Sequence, residues 1–523
     1  MKSLAIVVLL LLITFPGVGQ TTSVVSEKIN NAGSMYYFHQ RKVARTSTGL
    51  LMVVWTDLNA AGSQIQCSVY DADFLVWSPP AAISAAPERA LQPALAADES
   101  GNVHAVWQQR SSASDPYQIY YSKHSAGTWS TPVKVSVSNR GEEGTIEVSS
   151  TGTIWVVYNN DFTTVGPTEY VYAVNSTDGG TTWSATAEPL SSSGILGGSI
   201  EVARTALAAG PNGKMLAVWD NTATGIGTDY RETYANQFDG TAWRGEELVS
   251  DTAATRAENR LGNRYCTGAI DNNSNVYVFY HINRRSADPL PRDIVMHKKA
   301  WDAQWSPVPT SVIESHLTVG QRSICATVDS SNVLHLTYDR DLPADTSFGL
   351  DEIVYTFSMN GGLTWSPRVP ISRTNYDGGY TTVANRVRRA YGIDMAWRES
   401  QDPFSGDSVV TAVLHANVPY SLVNNVEDNR PLTFETLSNY PNPFNPQTTL
   451  EFSLPERSVV KLSIYDGAGR EVTMLVNEER GAGHYREFWD GTDAQGRRVA
   501  SGAYFSRLST AAGVQTIKMI LLK

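Results

Sequence analysis

Two sets of aromatic residues recur in phase along most of this 523-residue chain, and no other feature limits its folding so strongly. The first set closes short turns: Trp77, Trp129, Trp183, Trp243, Trp305 and Trp365 are spaced by 52, 54, 60, 62 and 60 residues. The second set ends apolar runs such as "GLLMVVW" and "GNVHAVW". Its members are Trp55, Trp107, Tyr158, Trp219, Tyr280, Tyr338 and Trp397, spaced by 52, 51, 61, 61, 58 and 59 residues. A period of this length marks a supersecondary unit that buries its apolar face against its neighbours.

Residues 92–137 show the content of one repeat. "PALAAD" reads as strand A, "ESG" as a tight turn, "NVHAVW" as strand B, and "YQIYYS" as strand C. A Trp turn follows, then "TPVKVSV" as strand D. Small residues dominate strand A, as expected where strands crowd around an axis. Successive four-stranded units predict an all-β chain, a β-propeller of seven blades. Six blades is the alternative, if the first or last repeat is only a cap. The last repeat lacks a fourth strand, and "TTSVVSEKIN" near the N-terminus resembles the strand D segment "STPVKVSVSN". Thr22 to Lys28 is therefore expected to complete the last blade and protect its open edge.

Charge narrows the partners. The net charge is −11, and no Lys/Arg cluster of the kind that phosphate backbones need is present. Residues 1–19 read as an export signal: Met1-Lys2, the apolar run "LAIVVLLLLITF", then small residues before Gln20. No other apolar run approaches the length of a membrane span. Cys67, Cys266 and Cys325 form no framework spacing and are expected to be buried free thiols. No Cys/His metal spacing occurs. The acidic segment "DRDLPAD" could attract Ca2+ but lacks the ligand order of a calcium loop, so no cofactor is expected.

One Trp turn, "NSTDGGTTWS", carries Ser176, Asp178, Gly180, Thr182 and Trp183 in the order Ser-x-Asp-x-Gly-x-Thr-Trp, and "SMNGGLTWSP" nearly repeats it. This pattern resembles the Asp box (BNR repeat) of the sialidase-like propeller superfamily. The resemblance implies a structural turn between strands C and D, remote from any active site. The chemistry agrees: Asp accepts bonds from turn amides, and Trp supplies a large apolar plug.

The pattern breaks after Pro419. Residues 421–436 read as a polar linker. In 437–523, alternation of Val460, Leu462 and Ile464 with polar residues, and the turns "DGAG" and "DGTDAQG", predict a small Ig-like β-sandwich. "YPNPFNP", Ile464-Tyr465-Asp466, Gly469-Arg470, Trp489-Asp490-Gly491, Ser501-Gly502-Ala503-Tyr504 and the ending "KMILLK" resemble the C-terminal sorting domain of the type IX (Por) secretion system and its FlgD-type Ig-like relatives. That resemblance implies delivery to the cell surface or medium, with the secretion machinery as partner.

A propeller exposes its B–C and D–A loops on one face. The B–C segments differ in every repeat, whereas the A–B and C–D turns are stereotyped, so the variable face is the candidate site. The start of strand A adds Arg41, Gln92, Glu143, Arg204, Arg264 or Tyr265, Arg322 and Tyr380 as an inner ring. Arg41, Arg204, Arg264 and Arg322 could bind a carboxylate or sulfate through their planar forks. Sialidases use arginines on this face, but Arg41-Lys42-Val43 departs from their pattern. Asp57, Asp161 and Asp341 are expected in B–C loops and Glu143 and Glu201 at the starts of strands. With Tyr380 they are candidates for glycoside chemistry, which needs paired carboxylates. His39, His281 and His316 fall near the same face. Two functions follow: a surface module binding a glycan or protein, or an exo-acting glycosidase of sialidase type. An anionic glycan is the favoured ligand.

Overall fold

The computed structural model describes residues 13–14, 21–29, 35, 40–59, 62–84, 89–137, 139–160, 168–191, 195–196, 204–222, 231–250, 262–283, 292–317, 323–341, 351–372, 376–401, 411–420, 423, 437–440, 442, 444–454, 458–467, 469–480, 483–510 and 513–522. The chain divides into two compact bodies, Met1–Asn425 and Val426–Lys523. Both are β-structures, and among the described residues no helix is long and apolar enough to cross a membrane.

In the first body each repeat is an antiparallel meander. Among the described residues the A strands are Val43–Arg45, Arg89–Ala97, Glu142–Val148, Thr205–Ala209, Gly262–Ile270, Ile324–Val328 and Tyr376–Val383. Each A strand packs against the A strand of the next repeat, and Val43–Arg45 also packs against Ile393–Gln401 of the last repeat. The succession of sheets therefore returns on itself, in a propeller-type arrangement. In the last sheet, Tyr376–Val383, Ile393–Gln401 and Thr411–Val418 are joined by Thr21–Ile29. This N-terminal strand pairs antiparallel with Thr411–Val418, from Thr21 opposite Asn417 to Ile29 opposite Thr411. The sequence expectation of a donated fourth strand is met.

The period has a physical basis in the core. The seven aromatics that end the B-strand runs are each at most 2% exposed. The turn tryptophans reach backwards to the preceding repeat. Trp183 meets Tyr121 edge-on at 4.9 Å, and Trp243 meets Trp155 at 5.4 Å. Trp365 meets Phe279 at 6.0 Å, and Trp77 meets His415 of the last repeat at 5.3 Å. One aromatic thus anchors each sheet while the other fastens it to its neighbour.

Two serines secure the short outer strands. The Ser after the turn Trp accepts a bond from a strand C amide: Val69 N to Ser78 Oγ, Lys123 N to Ser130 Oγ, Asn175 N to Ser184 Oγ and Phe357 N to Ser366 Oγ, at 3.0–3.1 Å. A second Ser after an apolar residue does the same further along, as Ile119 N to Ser136 Oγ at 3.0 Å and Ile353 N to Ser372 Oγ at 2.9 Å. Side-chain bonds replace a full ladder, so each outer strand can be very short.

The second body has its own core, with Leu450, Phe452, Val460, Leu462, Ile464, Trp489, Leu508 and Met519 all buried. Ser438–Tyr440, Thr448–Leu454 and Gly483–Trp489 form one sheet. Glu471–Arg480, Ser458–Asp466, Gly502–Thr510 and Gly513–Leu521 form the other. Most of the expected linker lies outside the described residues, as do most of residues 1–19.

Candidate functional site

Four of the seven A strands begin with a β-bulge at which a non-glycine residue takes the left-handed conformation. These are Gln92, Glu143, Tyr265 and Tyr380, with φ of 57°, 52°, 60° and 60°. The ladder register shifts at each, between Leu91 and Ala94, Glu142 and Thr145, Arg264 and Thr267, and Gly379 and Thr382. A left-handed residue with a Cβ costs roughly 1–2 kcal/mol, so something must hold it. The residue after the B-strand aromatic supplies the hold in two repeats. Gln92 N donates to Thr56 Oγ1 at 3.2 Å, and Glu143 N to Gln108 Oε1 at 2.9 Å. Related bonds fix neighbouring strand starts, Arg204 N to Asp220 Oδ1 at 3.1 Å and Ser323 N to Asp339 Oδ1 at 2.9 Å. Bulges of this kind re-aim side chains beside binding sites.

At this end of the sheets three arginines lie over tyrosine rings. Arg204 Cζ is 4.4 Å from the centre of Tyr265, in the next repeat. Arg110 is 4.6 Å from Tyr117, and Arg398 is 5.2 Å from Tyr380. A ring face holds such a cation in place by its quadrupole, and Arg110 also donates from Nη1 to Ala113 O at 2.9 Å. His281 is fully buried and stands edge-on to Tyr265, 5.8 Å between centres. Arg204, Tyr265 and His281 thus form one contiguous group of a cation, a phenol and an imidazole, with Asp220 securing the Arg204 backbone.

The sequence candidates distribute as follows. Arg204 and Tyr380 take part in the stacks, and Tyr265 rather than Arg264 carries the left-handed backbone. Arg264 lies opposite His281 in the strand register. Arg41 is committed elsewhere: its Nη1 donates to Val383 O at 3.2 Å and its Nη2 to Ala326 O at 2.9 Å. Its Nε is 3.7 Å from Glu147. It therefore ties the first, third, sixth and last repeats together within the ring. Glu143 is buried at its bulge. Arg322, Glu201, Asp161 and His39 lie outside the described residues.

Two positions need correction. Asp57 and Asp341 are not in B–C loops. Asp57 belongs to the strand Leu51–Asn59, paired with Gln64, and Asp341 ends Leu334–Asp341, paired with Asp351. In the first repeat, strand pairing continues to Asn59 opposite Gly62, so that only residues 60 and 61 separate the paired ends of strands B and C. The ends of these strands are polar, so apolar alternation stops before backbone pairing does.

Arg110, Tyr117 and Arg398 were not singled out in the sequence. Their signal is weak but real: Arg398 directly follows the B-strand aromatic Trp397, the position that holds the clamping residues Thr56 and Gln108 in other repeats.

The Ser176–Trp183 turn is a closed network. Asp178 Oδ1 accepts from Ser176 Oγ, Thr181 N and Thr182 N at 2.9, 3.1 and 2.8 Å, and Oδ2 accepts from Thr182 Oγ1 at 2.6 Å. Those bonds, the Thr182 hydroxyl foremost, hold the Asp178 carboxyl down to about 2. Every oxygen contact is internal to the turn, which is an architectural arrangement. Cys67, Cys266 and Cys325 are buried and unbridged, and among the described residues no His/Cys/Asp/Glu group is arranged to hold a metal ion.

Residues 442–513 match the sequence family of the FlgD Ig-like domain. No curated protein matches the chain. Among solved structures, a polysaccharide lyase of family PL25, an ulvan lyase, is similar at 11% identity, over 74% of this chain and 94% of that one, with a TM-score of 0.51. An ulvan lyase structure bound to -[GlcA(1-4)Rha3S]- gives 10% identity, the same coverages and a TM-score of 0.50. PorZ, a surface component of the type-IX secretion system of Porphyromonas gingivalis, gives 12% identity over 93% of this chain and 60% of that one, with a TM-score of 0.40. At such identities the likeness to the lyases is one of fold.

Proposed function

We propose that this chain is an exported seven-bladed β-propeller that binds an anionic glycan at the end of its sheets bearing the B–C and D–A loops. The observation that carries this reading is the stacking of Arg204 on Tyr265 beside His281. A guanidinium held over an aromatic ring suits a sugar carboxylate or sulfate, because the cation is positioned before the ligand arrives. The Arg110 and Arg398 stacks extend the same chemistry over several repeats, as a polymer rather than a single sugar would require. The ulvan lyase of similar fold, bound to a glucuronate–sulfated rhamnose unit, supports an acidic polysaccharide as the ligand class.

A binding role is favoured over an exo-acting glycosidase of sialidase type. Three described carboxylates near this end are engaged: Asp220 and Asp339 accept from strand-start amides, and Glu142 pairs with the Arg140 side chain at 2.7 Å. A glycosidase would need two such groups free to face a glycosidic bond. Titration with sulfated and unsulfated polyuronates and with a neutral glycan tests the reading. Binding to the acidic polymers should weaken at least tenfold in Arg204→Ala and in Tyr265→Ala. Equal binding to the neutral polymer, or indifference to both substitutions, sinks it. Turnover of a sialoside would favour the glycosidase. Release of an unsaturated uronate would favour a lyase over a binding module.

For the second body we propose the role of a type IX sorting domain. The FlgD Ig-like match at 442–513 and the export-type N-terminus support it. Residues 437–523 fused to a signal-bearing reporter should carry it to the surface or medium of a host with that system. A reporter left in the periplasm would refute the assignment.

A further inference from the structure

The second repeat sets two arginines against each other. Arg89 opens the strand Arg89–Ala97, Arg110 ends Val103–Arg110, and the two are direct partners in the antiparallel register. Directly opposed residues stand on one face of a sheet, roughly 5 Å apart at Cβ, and like charges so placed destabilise it. Neither arginine has an ion-pair partner among the described residues. The surrounding backbone is well fixed. Arg89 also pairs with Ser63 of the first repeat. Gly141 N donates to Tyr117 O at 2.8 Å, and Gln118 Nε2 to Asn139 O at 2.6 Å.

Tyr117 lies beside this pair, under the Arg110 guanidinium. Burial raises its phenol above the ordinary 10.0; Arg110 and Arg89 oppose the rise, Glu142 adds to it, and Arg140 opposes it. Three guanidiniums therefore surround one phenol, against one carboxylate. That carboxylate is already taken: Arg140 holds Glu142 Oε1 from Nε at 2.8 Å and from Nη2 at 2.7 Å. Asp115, in the same B–C segment, is exposed and enters no ion pair among the described residues. Arg89 and Arg110 thus keep their positive charges uncompensated. Arg89 is exposed, and Arg110 and Tyr117 are half-buried, so all three open to solvent. The Tyr117 hydroxyl has no hydrogen-bond partner among the described residues and can donate. A like-charge pair kept together beside an open phenol fits an anion that lies between the charges. A tetrahedral ester anion presents three terminal oxygens, one for each of these donor groups, where a carboxylate presents two. The cations are guanidiniums, more weakly hydrated than an ammonium, which matches a sulfate ester better than the strongly hydrated phosphate.

We propose that Arg89, Arg110 and Tyr117 form a subsite for the sulfate ester of a polysaccharide, separate from the Arg204–Tyr265 stack. The proposal rests on the reading of the loop end as an anionic-glycan site and names the anion taken up at the second repeat. Calorimetric titration of the whole chain with dextran and with dextran sulfate, dextran phosphate and carboxymethyl dextran of matched substitution tests it. Dextran sulfate should bind most tightly. Arg89→Gln should weaken dextran sulfate by about tenfold and leave carboxymethyl dextran nearly unchanged, whereas Arg204→Ala should weaken both. Tyr117→Phe, which removes only the hydroxyl, should also weaken dextran sulfate selectively. Because Arg89 opposes a like charge, Arg89→Gln should hold or raise the thermal midpoint of the free protein, which loss of a structural arginine would lower. Dextran sulfate binding indifferent to Arg89→Gln, with carboxymethyl dextran still dependent on Arg204, would overturn this subsite and leave the loop-end reading standing. Charged dextrans that bind no better than dextran would overturn both. Tighter binding of dextran phosphate, or a lowered midpoint in Arg89→Gln, would also overturn the sulfate assignment.

Discussion

Two glycines of the C–D turns separate backbone strain from crowding. Gly127 has φ +83° and an added Cβ would meet nothing within 4 Å. Gly180 has φ +89°, and its Cβ would fall 1.9 Å from Tyr121 Oη in the preceding repeat. Gly127→Ala should therefore cost about 1–2 kcal/mol for the left-handed conformation alone. Gly180→Ala should add an overpacking cost of roughly 1–3 kcal/mol, read as a larger fall in the urea midpoint. Equal costs would mean that Tyr121 yields freely. The converse substitution applies at the bulges. Gln92→Gly should hold or raise stability by relieving its φ of 57°, whereas Gln92→Val should lower it, because a β-branched residue tolerates that region poorly. The Asp178 turn was legible in the sequence because its chemistry is local and its spacing fixed. The bulges were not. A positive φ at Gln92 or Glu143 is imposed by partners in the preceding repeat, Thr56 and Gln108, and leaves no mark in the local residue pattern.

Between elements, the first and last repeats are joined by a buried ionic cluster. Arg45 Nη2 donates to Asp394 Oδ1 at 2.7 Å, and His415 Nε2 lies 2.9 Å from the same oxygen. Burial alone would raise the Asp394 carboxyl, but the bonds from Arg45 and His415 outweigh it and hold it down to about 2. A carboxyl depressed in the folded state stabilises fully above its unfolded value of 3.8, and that contribution is lost as pH falls towards about 2. Asp394→Asn should therefore reduce stability at neutral pH and flatten the fall in thermal midpoint between pH 4 and about 2. A variant with the same acid limb as the parent would show that the junction does not depend on this charge. At this scale the sequence was most informative where one residue repeats one function, as with the turn tryptophans. It was least informative at the ends of the B strands, where Asp57 and Asp341 are polar yet still paired, so that hydropathy and hydrogen bonding part company.

For the whole molecule, the repeat period revealed a succession of sheets, but closure rests on contacts between residues hundreds of positions apart. The strand Thr21–Ile29 shows the dependence. It covers the edge of Thr411–Val418, buries Val25, and accepts at Ser23 Oγ a 2.9 Å bond from the Trp77 indole of the first repeat. Removing residues 21–29 exposes a long strand edge and takes Ser23 Oγ away from the Trp77 indole and from His415 Nδ1, 3.5 Å off, at one step. The second body has a separate core and should unfold by itself. Calorimetry of the full chain is then expected to resolve two transitions, one for each body. Deleting 21–29 should lower the transition of the larger body by roughly 5 °C or more, since about 2 °C accompanies each kcal/mol in a large domain. The smaller transition should stay where it was. Were both to move together, the bodies would be energetically coupled. Were neither to move, the N-terminal strand would be an ornament of the last sheet, and the ring would close on the Arg45–Asp394 cluster and the Arg41 bonds alone.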